Sequence, residues 1–213
     1  MARRKQSTHE DAEKTRRNIV RIAQQLFMEY GFRAVSTRQI AAICGLTQPA
    51  LYHHFADKQD LYVAMAQEEV AKLRVALERI VQQNEGMEKR LQEVMLYLLG
   101  TTQHDLHLML HDVRHELTPE RRNLLNQAFQ AGVVGPIASI FEDGLRQGLL
   151  RDQQHGGVDA LTSAYLFLNM VSAHLPQSGH TNRVTSDAEM AQKIVYVLLH
   201  GIGREMSVIE TNT

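Results

Sequence analysis

Residues 47–58 bring together side chains whose chemistry suits contact with nucleic acid. Gln48 can form two hydrogen bonds with the edge of an adenine in the major groove, and the Ala50 methyl group can touch that of a thymine. Hydroxyl, imidazole and ammonium groups suit phosphate oxygens. The candidate DNA-contacting residues of the segment are Thr47, Gln48, Pro49, Ala50, Tyr52, His53, His54 and Lys58. The alternative is that Tyr52 and His54 are partly buried supports.

A pair of short helices is expected to position this segment. Ser36 begins an S-T-R-Q capping box, which predicts a helix over residues 36–44. Gly45 ends that helix, and Thr47 is expected to cap a second helix over residues 48–55. Two short helices joined by a tight turn have the geometry of a helix-turn-helix motif, whose second helix can lie in the major groove of DNA.

Longer helices are expected on both sides of this pair. Apolar residues spaced three and four apart predict a first helix that begins near Thr15, and Gly31 is expected to end it. Asp57 is expected to cap a fourth helix. Further helices are predicted from Gly86 to Gly100, from Thr102, from Thr118 with a kink at Gly135-Pro136, and over about 158–175 and 187–200. No strand pattern occurs, so the expected fold is all-α.

Composition and charge are consistent with a soluble protein that binds a polyanion. Residues 1–60 hold ten Lys and Arg against six Asp and Glu, a net charge of +4, which leaves −5 for the remainder because the whole chain carries −1. Cys44 is the single cysteine, so no intrachain disulfide is possible. No run approaches the roughly 18 apolar residues of a membrane span, and the N-terminus is too polar for a secretory signal. We therefore expect a cytoplasmic protein without a membrane partner.

The stretch YGFRAVSTRQIAAICGLTQPALYHHFADKQDLYVAM resembles the DNA-binding segment of the TetR family of transcriptional regulators. The resemblance rests on the capped S-T-R-Q-I-A run, the G-L-T turn, the L-Y-H-H-F helix and the following lysine and leucine, and it covers about residues 15–65. It implies an all-α protein with an N-terminal three-helix helix-turn-helix domain (residues 1–60). A larger helical effector-binding and dimerisation domain (residues 61–213) would follow.

The resemblance also assigns roles to individual residues. It implies that Gln48, Pro49 and Ala50 approach bases, and that Tyr52, His54 and Lys58 hold phosphates with help from Thr37 or Thr47. A known member of the family has threonine at the place of Ala50, so that member's operator cannot be transferred to this chain. The basic run Arg3-Arg4-Lys5 could add contacts as an N-terminal arm, or could be a solubilising tail.

For the rest of the chain, the resemblance implies a repressor that is released from a palindromic operator by a small molecule. The last two helices would pair with those of a second copy to form a four-helix bundle, which makes the protein a homodimer. The candidate effector-binding residues are Met95, Tyr97, Leu98, Met109, Phe129, Phe141, Phe167 and Met170. Methionine and aromatic residues at helical spacing are also what an ordinary core contains.

Two alternatives stay open. His104, His107, His111 and His115 lie on one helical stripe, and imidazoles four residues apart can chelate zinc, which raises the possibility of a metal-responsive regulator. The same helix places its apolar residues opposite, so the stripe is expected to be a polar face and no metal is predicted. The second alternative is a DNA-binding protein without an effector. No nucleophile motif, phosphate loop or H-E-x-x-H pattern occurs, so we expect neither an enzyme nor a cofactor.

Overall fold

The computed structural model describes residues 2–83, 85–101, 112–174 and 186–201, with side chains from Glu10 onward except that of Thr101. These ranges hold α-helices, one π-turn and one short 3₁₀ segment, and they contain no β-strand. The prediction of an all-α fold is confirmed.

The first four helices are α1 (Ala2–Ala34), α2 (Thr37–Ile43), α3 (Gln48–Tyr52) and α4 (Lys58–Val81). They are followed by α5 (Met87–Thr101), a helical stretch at residues 112–116, and α6 (Pro119–Phe129). The π-turn Gln130–Val134 joins α6 to α7 (Gly135–Arg146), and the 3₁₀ segment is Gln153–His155. The last two described helices are α8 (Ala160–Ala173) and α9 (Asp187–His200).

Side-chain caps begin the helices where the sequence predicts them. The Ser36 hydroxyl accepts from the Gln39 N–H at 3.1 Å, and the Asp57 carboxylate accepts from the Asp60 N–H at 2.8 Å. Thr118 and Ser186 cap α6 and α9 in the same way. Each cap satisfies an amide that lacks a partner inside its helix.

The first helix departs from its predicted bounds. It begins at Ala2 rather than near Thr15, and the Thr15 hydroxyl donates to the Asp11 carbonyl one turn back instead of capping a new helix. Gly31 breaks it with φ 78° and ψ 166°, after which the helix resumes. The Phe32 ring then stacks on Phe27 with centroids 5.8 Å apart.

Two clusters of buried apolar side chains meet along α4. Leu61 and Met65 belong to the cluster formed with α1, α2 and α3, which Leu117 and Leu125 also enter. Further along the same helix, the cluster of α5, α7, α8 and α9 takes in Val70, Leu77 and Ile80. Along α4, the side chains up to Ala66 belong to the first cluster and those from Val70 onward to the second. The predicted domain boundary at residue 60 would lie inside α4 and stays a prediction.

The continuous helical stretch Pro119–Arg146 is long and apolar enough, by length and composition alone, to cross a membrane. Its apolar residues are instead those of a core helix: Leu125 packs in the cluster with α1, while Val133, Ile137 and Phe141 pack in the other. The predicted kink at Gly135-Pro136 coincides with the end of the π-turn, and Pro136 occupies the first turn of α7.

The last two helices bury one side within the chain. Ala164, Val171 and Ile194 are part of the cluster around α5 and α7. Tyr165 and Tyr196 are exposed, as is Leu161, whose exposed fraction is 51%. The structure therefore leaves apolar groups of α8 and α9 on the outside of this chain.

The π-turn packs closely on α4, which generates a stability prediction. A Cβ on Gly132 would lie 2.7 Å from Cγ1 of Val70 and 3.4 Å from the Val70 carbonyl oxygen. Because Val70 is buried and β-branched, it cannot move aside, and Gly132→Ala should destabilise the fold by about 1–3 kcal/mol. Denaturant unfolding measures the change.

Gly100→Ala is the matched control. This glycine is also helical, but no atom of the described residues lies within 4 Å of the position that an alanine Cβ would occupy, so alanine should be neutral or stabilise by up to about 1 kcal/mol. Equal unfolding midpoints for the two variants would contradict the close packing of Gly132 on α4.

Candidate nucleic-acid interface

The turn between α2 and α3 is set by local hydrogen bonds and one glycine. Gly45 has φ +69°, which a residue with a Cβ rarely adopts. Its N–H donates to the Ala42 carbonyl at 3.1 Å, and the Leu46 N–H donates to the Ala41 carbonyl at 2.8 Å. This Schellman-type ending stops α2, and the Thr47 hydroxyl then caps α3 through the Ala50 N–H.

The helix α3 is anchored by its apolar side. Leu51 is fully buried, and Phe55 follows in the turn after the helix with its ring buried as well. The helix ends at Tyr52 rather than near Phe55, so His53 and His54 belong to the turn. Thr47, Pro49, Tyr52 and His53 are exposed, and Gln48, Ala50 and His54 are half-buried. Seven of the candidate contact residues thus keep at least part of their surface open to solvent beside the buried Leu51, and their contact with DNA stays a prediction.

A ring of polar contacts joins the beginnings of α2 and α3. The Gln48 amide nitrogen donates to the Thr37 hydroxyl oxygen at 3.0 Å and lies 3.5 Å from the Tyr52 hydroxyl. The Thr37 and Tyr52 hydroxyls are 3.1 Å apart and share a hydrogen bond. Thr37 is 7% exposed, so its hydroxyl faces these two side chains rather than open solvent.

Arg16 on α1 contacts the residues that follow α3. Its Nη1 donates to the His54 carbonyl at 2.8 Å, and its guanidinium lies over the Phe55 ring, 4.2 Å from the centroid. Sequence reasoning missed this role and counted Arg16 only as positive charge. The residues are 38 positions apart, so no local pattern signals the contact.

Lys58 lies where α4 begins, with its ammonium nitrogen 4.2 Å from the centroid of the Phe32 ring. Partial burial lowers the pKa of Lys58, while the carboxylates of Glu116 and Asp112 oppose that shift. The lysine predicted to hold a phosphate is therefore placed between the helix-turn-helix unit and the helical residues 112–116.

The helical residues 112–116 also contact α1 next to its break at Gly31. The Asp112 carboxylate is buried and accepts the Phe32 N–H at 2.8 Å, immediately after Gly31. Glu116 accepts from the exposed Arg33 side chain at 2.7 Å. Burial, and then the nearby Asp112 carboxylate, raise the pKa of the Tyr62 hydroxyl. Asp112 was also missed by sequence analysis, because it lies 80 positions from its partner.

A second set of polar contacts joins α6 to the start of α4. Arg121 on α6 donates to the Asp57 carboxylate at 2.7 Å and to the Gln59 side-chain oxygen at 3.0 Å. Partial burial raises the pKa of Asp57, but the Asp60 N–H and the Arg121 guanidinium outweigh it and lower the pKa overall. The capping residue of α4 is thus tied to the body of the molecule.

Six of the eight candidate effector-binding residues lie in or against the hydrophobic cluster of the body. Met95, Leu98, Phe141 and Phe167 are buried together in the cluster around α5 and α7, with Tyr97 and Met170 packed against it. Phe141 and Phe167 contact edge to face, 6.4 Å between centroids. Phe129 is exposed, and Met109 lies outside the described residues. Of this set, Phe141 alone lines an open cavity of about 360 Å³ beside Leu166 and Leu198.

Most of the histidine stripe falls outside the described part of the chain. His104, His107 and His111 are not described, and His115 is exposed. The side chains of Arg3, Arg4 and Lys5 are also not described. The metal-responsive alternative and the N-terminal arm stay untested by the structure.

Comparison with known proteins matches the helix-turn-helix region to a family. The family model described as "Bacterial regulatory proteins, tetR family" matches residues 19–65. The transcriptional repressor AcnR of Corynebacterium glutamicum is 32% identical over 59 residues, which are 28% of this chain and 31% of AcnR. The match thus spans about a third of the length of such curated relatives.

Two further proteins are similar over most of the chain. The transcriptional repressor NicS of Pseudomonas putida is 22% identical over 187 residues, 86% of each protein. AibR, whose crystal structure was determined in complex with isovaleryl coenzyme A and operator DNA, is 26% identical to this chain in sequence. The structural match covers 87% of this chain and 98% of AibR, with a TM-score of 0.65. Residues 19–65 thus match the tetR family of bacterial regulatory proteins, and the chain shares its architecture with AibR over most of its length.

Proposed function

We propose that the protein is a cytoplasmic transcriptional repressor that binds a palindromic operator as a homodimer and is released by a small organic effector. The observation that carries the proposal is the outer side of α3, where Gln48, Pro49 and Ala50 stand at the start of a helix anchored by Leu51. A recognition helix reads bases with its N-terminal residues. AcnR and NicS are transcriptional repressors, which supports regulation rather than enzymatic activity.

Gln48 and Lys58 should contribute to DNA binding in different ways. Lys58→Ala removes a charge that we assign to a phosphate, so affinity for all sequences should fall and the slope of log K against log salt should decrease by about one. Gln48→Ala removes an assigned base contact and should relax preference at one or two base positions, at about 1–3 kcal/mol. Fluorescence anisotropy over a salt series measures both effects.

Lys72→Ala is the control for Lys58→Ala, because Lys72 is an exposed lysine on the same helix, paired with Glu69. It should leave affinity and salt slope unchanged. If Lys58→Ala left affinity and salt slope unchanged, as the control should, the role of Lys58 would be limited to packing on the Phe32 ring. Its assignment to a phosphate would then be wrong.

The exposed apolar groups of α8 and α9 support dimerisation through these helices. Two recognition helices must lie about 34–36 Å apart to enter successive major grooves on one face of DNA, which requires a fixed pairing of two copies. Leu161, Tyr165 and Tyr196 are exposed in the single chain, whereas Ala164 and Val171 are already buried within it. The exposed set is what a second copy would cover.

Leu161→Asp should therefore convert the dimer to a monomer and reduce operator affinity in parallel, while the single chain keeps its fold. Val75→Asp is the control, since Val75 is 69% exposed on α4, away from α8 and α9. Light scattering gives the oligomeric state. A monomeric wild-type protein, or a Leu161→Asp dimer, would contradict the assigned interface.

The effector is expected to act through the links between the body and the helix-turn-helix unit. A ligand shifts DNA binding only through its different affinities for the two conformations. Asp112, Glu116 and Arg121 connect the body to the end of α1 and the start of α4, so movement of residues 112–121 would change where α3 stands. An organic ligand is favoured over a metal because the candidate pocket residues are apolar.

An acyl-coenzyme A thioester is the first ligand class to test, because AibR is described in complex with isovaleryl coenzyme A. A bound thioester should lower operator affinity by roughly 5- to 150-fold. Calorimetry and operator binding should compare isovaleryl and longer acyl thioesters with free coenzyme A and with zinc. Micromolar zinc affinity that disappears in His107→Ala and releases DNA would instead support the metal-responsive alternative.

A further inference from the structure

The polar ring of Thr37, Gln48 and Tyr52 leaves one atom of the glutamine amide uncommitted. The amide nitrogen is directed to the Thr37 hydroxyl at 3.0 Å and to the Tyr52 hydroxyl at 3.5 Å. No residue in the described ranges donates to the amide oxygen, Oε1, and that atom is not buried. The side chain of Gln48 thus presents a fixed hydrogen-bond acceptor at the start of α3.

Thr37 is poorly placed to contact DNA itself. It is 7% exposed, and its hydroxyl has one hydrogen and two lone pairs, of which one accepts from Gln48 while another site serves the bond with Tyr52. If Thr37 donates to Tyr52, it has no hydrogen left for a phosphate. If Tyr52 donates instead, the free hydrogen of Thr37 sits on a side chain that is only 7% exposed. The observed bonds of the Thr37 hydroxyl thus lie within the ring, and the phosphate contact that the resemblance implies for Thr37 stays a prediction.

We propose that Thr37 is a positioning residue that, with the Tyr52 hydroxyl, fixes the amide of Gln48 so that its oxygen reads a hydrogen-bond donor on a base edge. This inference rests on the proposed DNA-binding function and deepens it. The rotamer of a long polar side chain is ordered during folding, so less freedom remains to be lost when DNA binds.

The orientation of the amide determines which base is read. In the major groove, adenine offers the N6 donor beside the N7 acceptor, cytosine offers only the N4 donor, and guanine and thymine present acceptors at O6 and O4. Gln48 Oε1 accepts from N6, and the amide hydrogen not used by Thr37 can reach N7, because the contact with Tyr52 is long. Adenine is therefore preferred at this position, cytosine is second, and guanine and thymine are disfavoured.

The test is selection of bound sequences from a randomised DNA library by the full chain, which does not require a known operator. Thr37→Val replaces the hydroxyl with a methyl group of similar size, and Gln48→Ala identifies the position that Gln48 reads. Thr37→Val should reduce the preference for adenine at that same position by about 10-fold and leave the other positions unchanged. Thr37→Ser, which keeps the hydroxyl, should restore the preference.

The double variant separates positioning from direct contact. In the Gln48→Ala background, Thr37→Val should have no further effect, because there is no amide left to position. Tyr52→Phe provides a second variant at a site that is 43% exposed, where the fold should tolerate the change, and it should weaken the same base preference.

Three results would overturn the inference. A uniform loss of affinity for all sequences in Thr37→Val, equal with and without Gln48, would make Thr37 a phosphate contact. A wild-type preference for guanine or thymine at the Gln48 position would mean that the amide presents its nitrogen. Unchanged selection in both Thr37→Val and Tyr52→Phe would remove their positioning role. Failure of the wild-type chain to select any sequence would instead count against the proposed function.

Discussion

The helix α4 contributes side chains to both hydrophobic clusters, and the position of the recognition helix depends on this shared element. The first half of α4 contributes to the cluster that includes α1, α2 and α3, and its second half packs against α5, α7 and the π-turn in the cluster that α8 and α9 complete. A helix with intact backbone hydrogen bonds is stiff over this length, so the recognition helix has a defined orientation relative to the body. A change in the tilt of α4 would move α3 with it, and this mechanical link does not require α3 to touch an effector.

Polar contacts beside Gly31 also connect residues 112–116 to α1. A buried carboxylate is costly unless it is well paired, and Asp112 offsets part of the cost by accepting the Phe32 N–H directly after the break in α1. The break and the carboxylate therefore depend on each other. Because Lys58 lies on the Phe32 ring beside Asp112, the conformation of the break also influences a side chain that we assign to DNA.

Local features of this fold were predictable from the sequence, and contacts between distant residues were not. The caps at Ser36, Thr47 and Asp57 and the turn at Gly45 depend on residues within four positions, so their pattern is visible in the chain. Arg16 and Asp112 contact partners far along the sequence, and an arginine or aspartate on a helix gives no sign of such a partner. The outer residues of α3 followed from spacing, but the inward engagement of Thr37 required the packing of α2 against α3.

The π-turn between α6 and α7 has a consequence for how the length of this chain can vary. Its hydrogen bonds span five residues instead of four, so the turn contains one residue more than an α-helical turn. The helices on either side face different clusters, Leu125 in one and Ile137 in the other, and an ordinary insertion or deletion within α6 or α7 would rotate one face by about 100°. Within the turn, loss of a single residue converts it to a regular α-turn while both faces keep their direction. The loss of one residue between related chains should therefore be tolerated here before it is tolerated in α6 or α7.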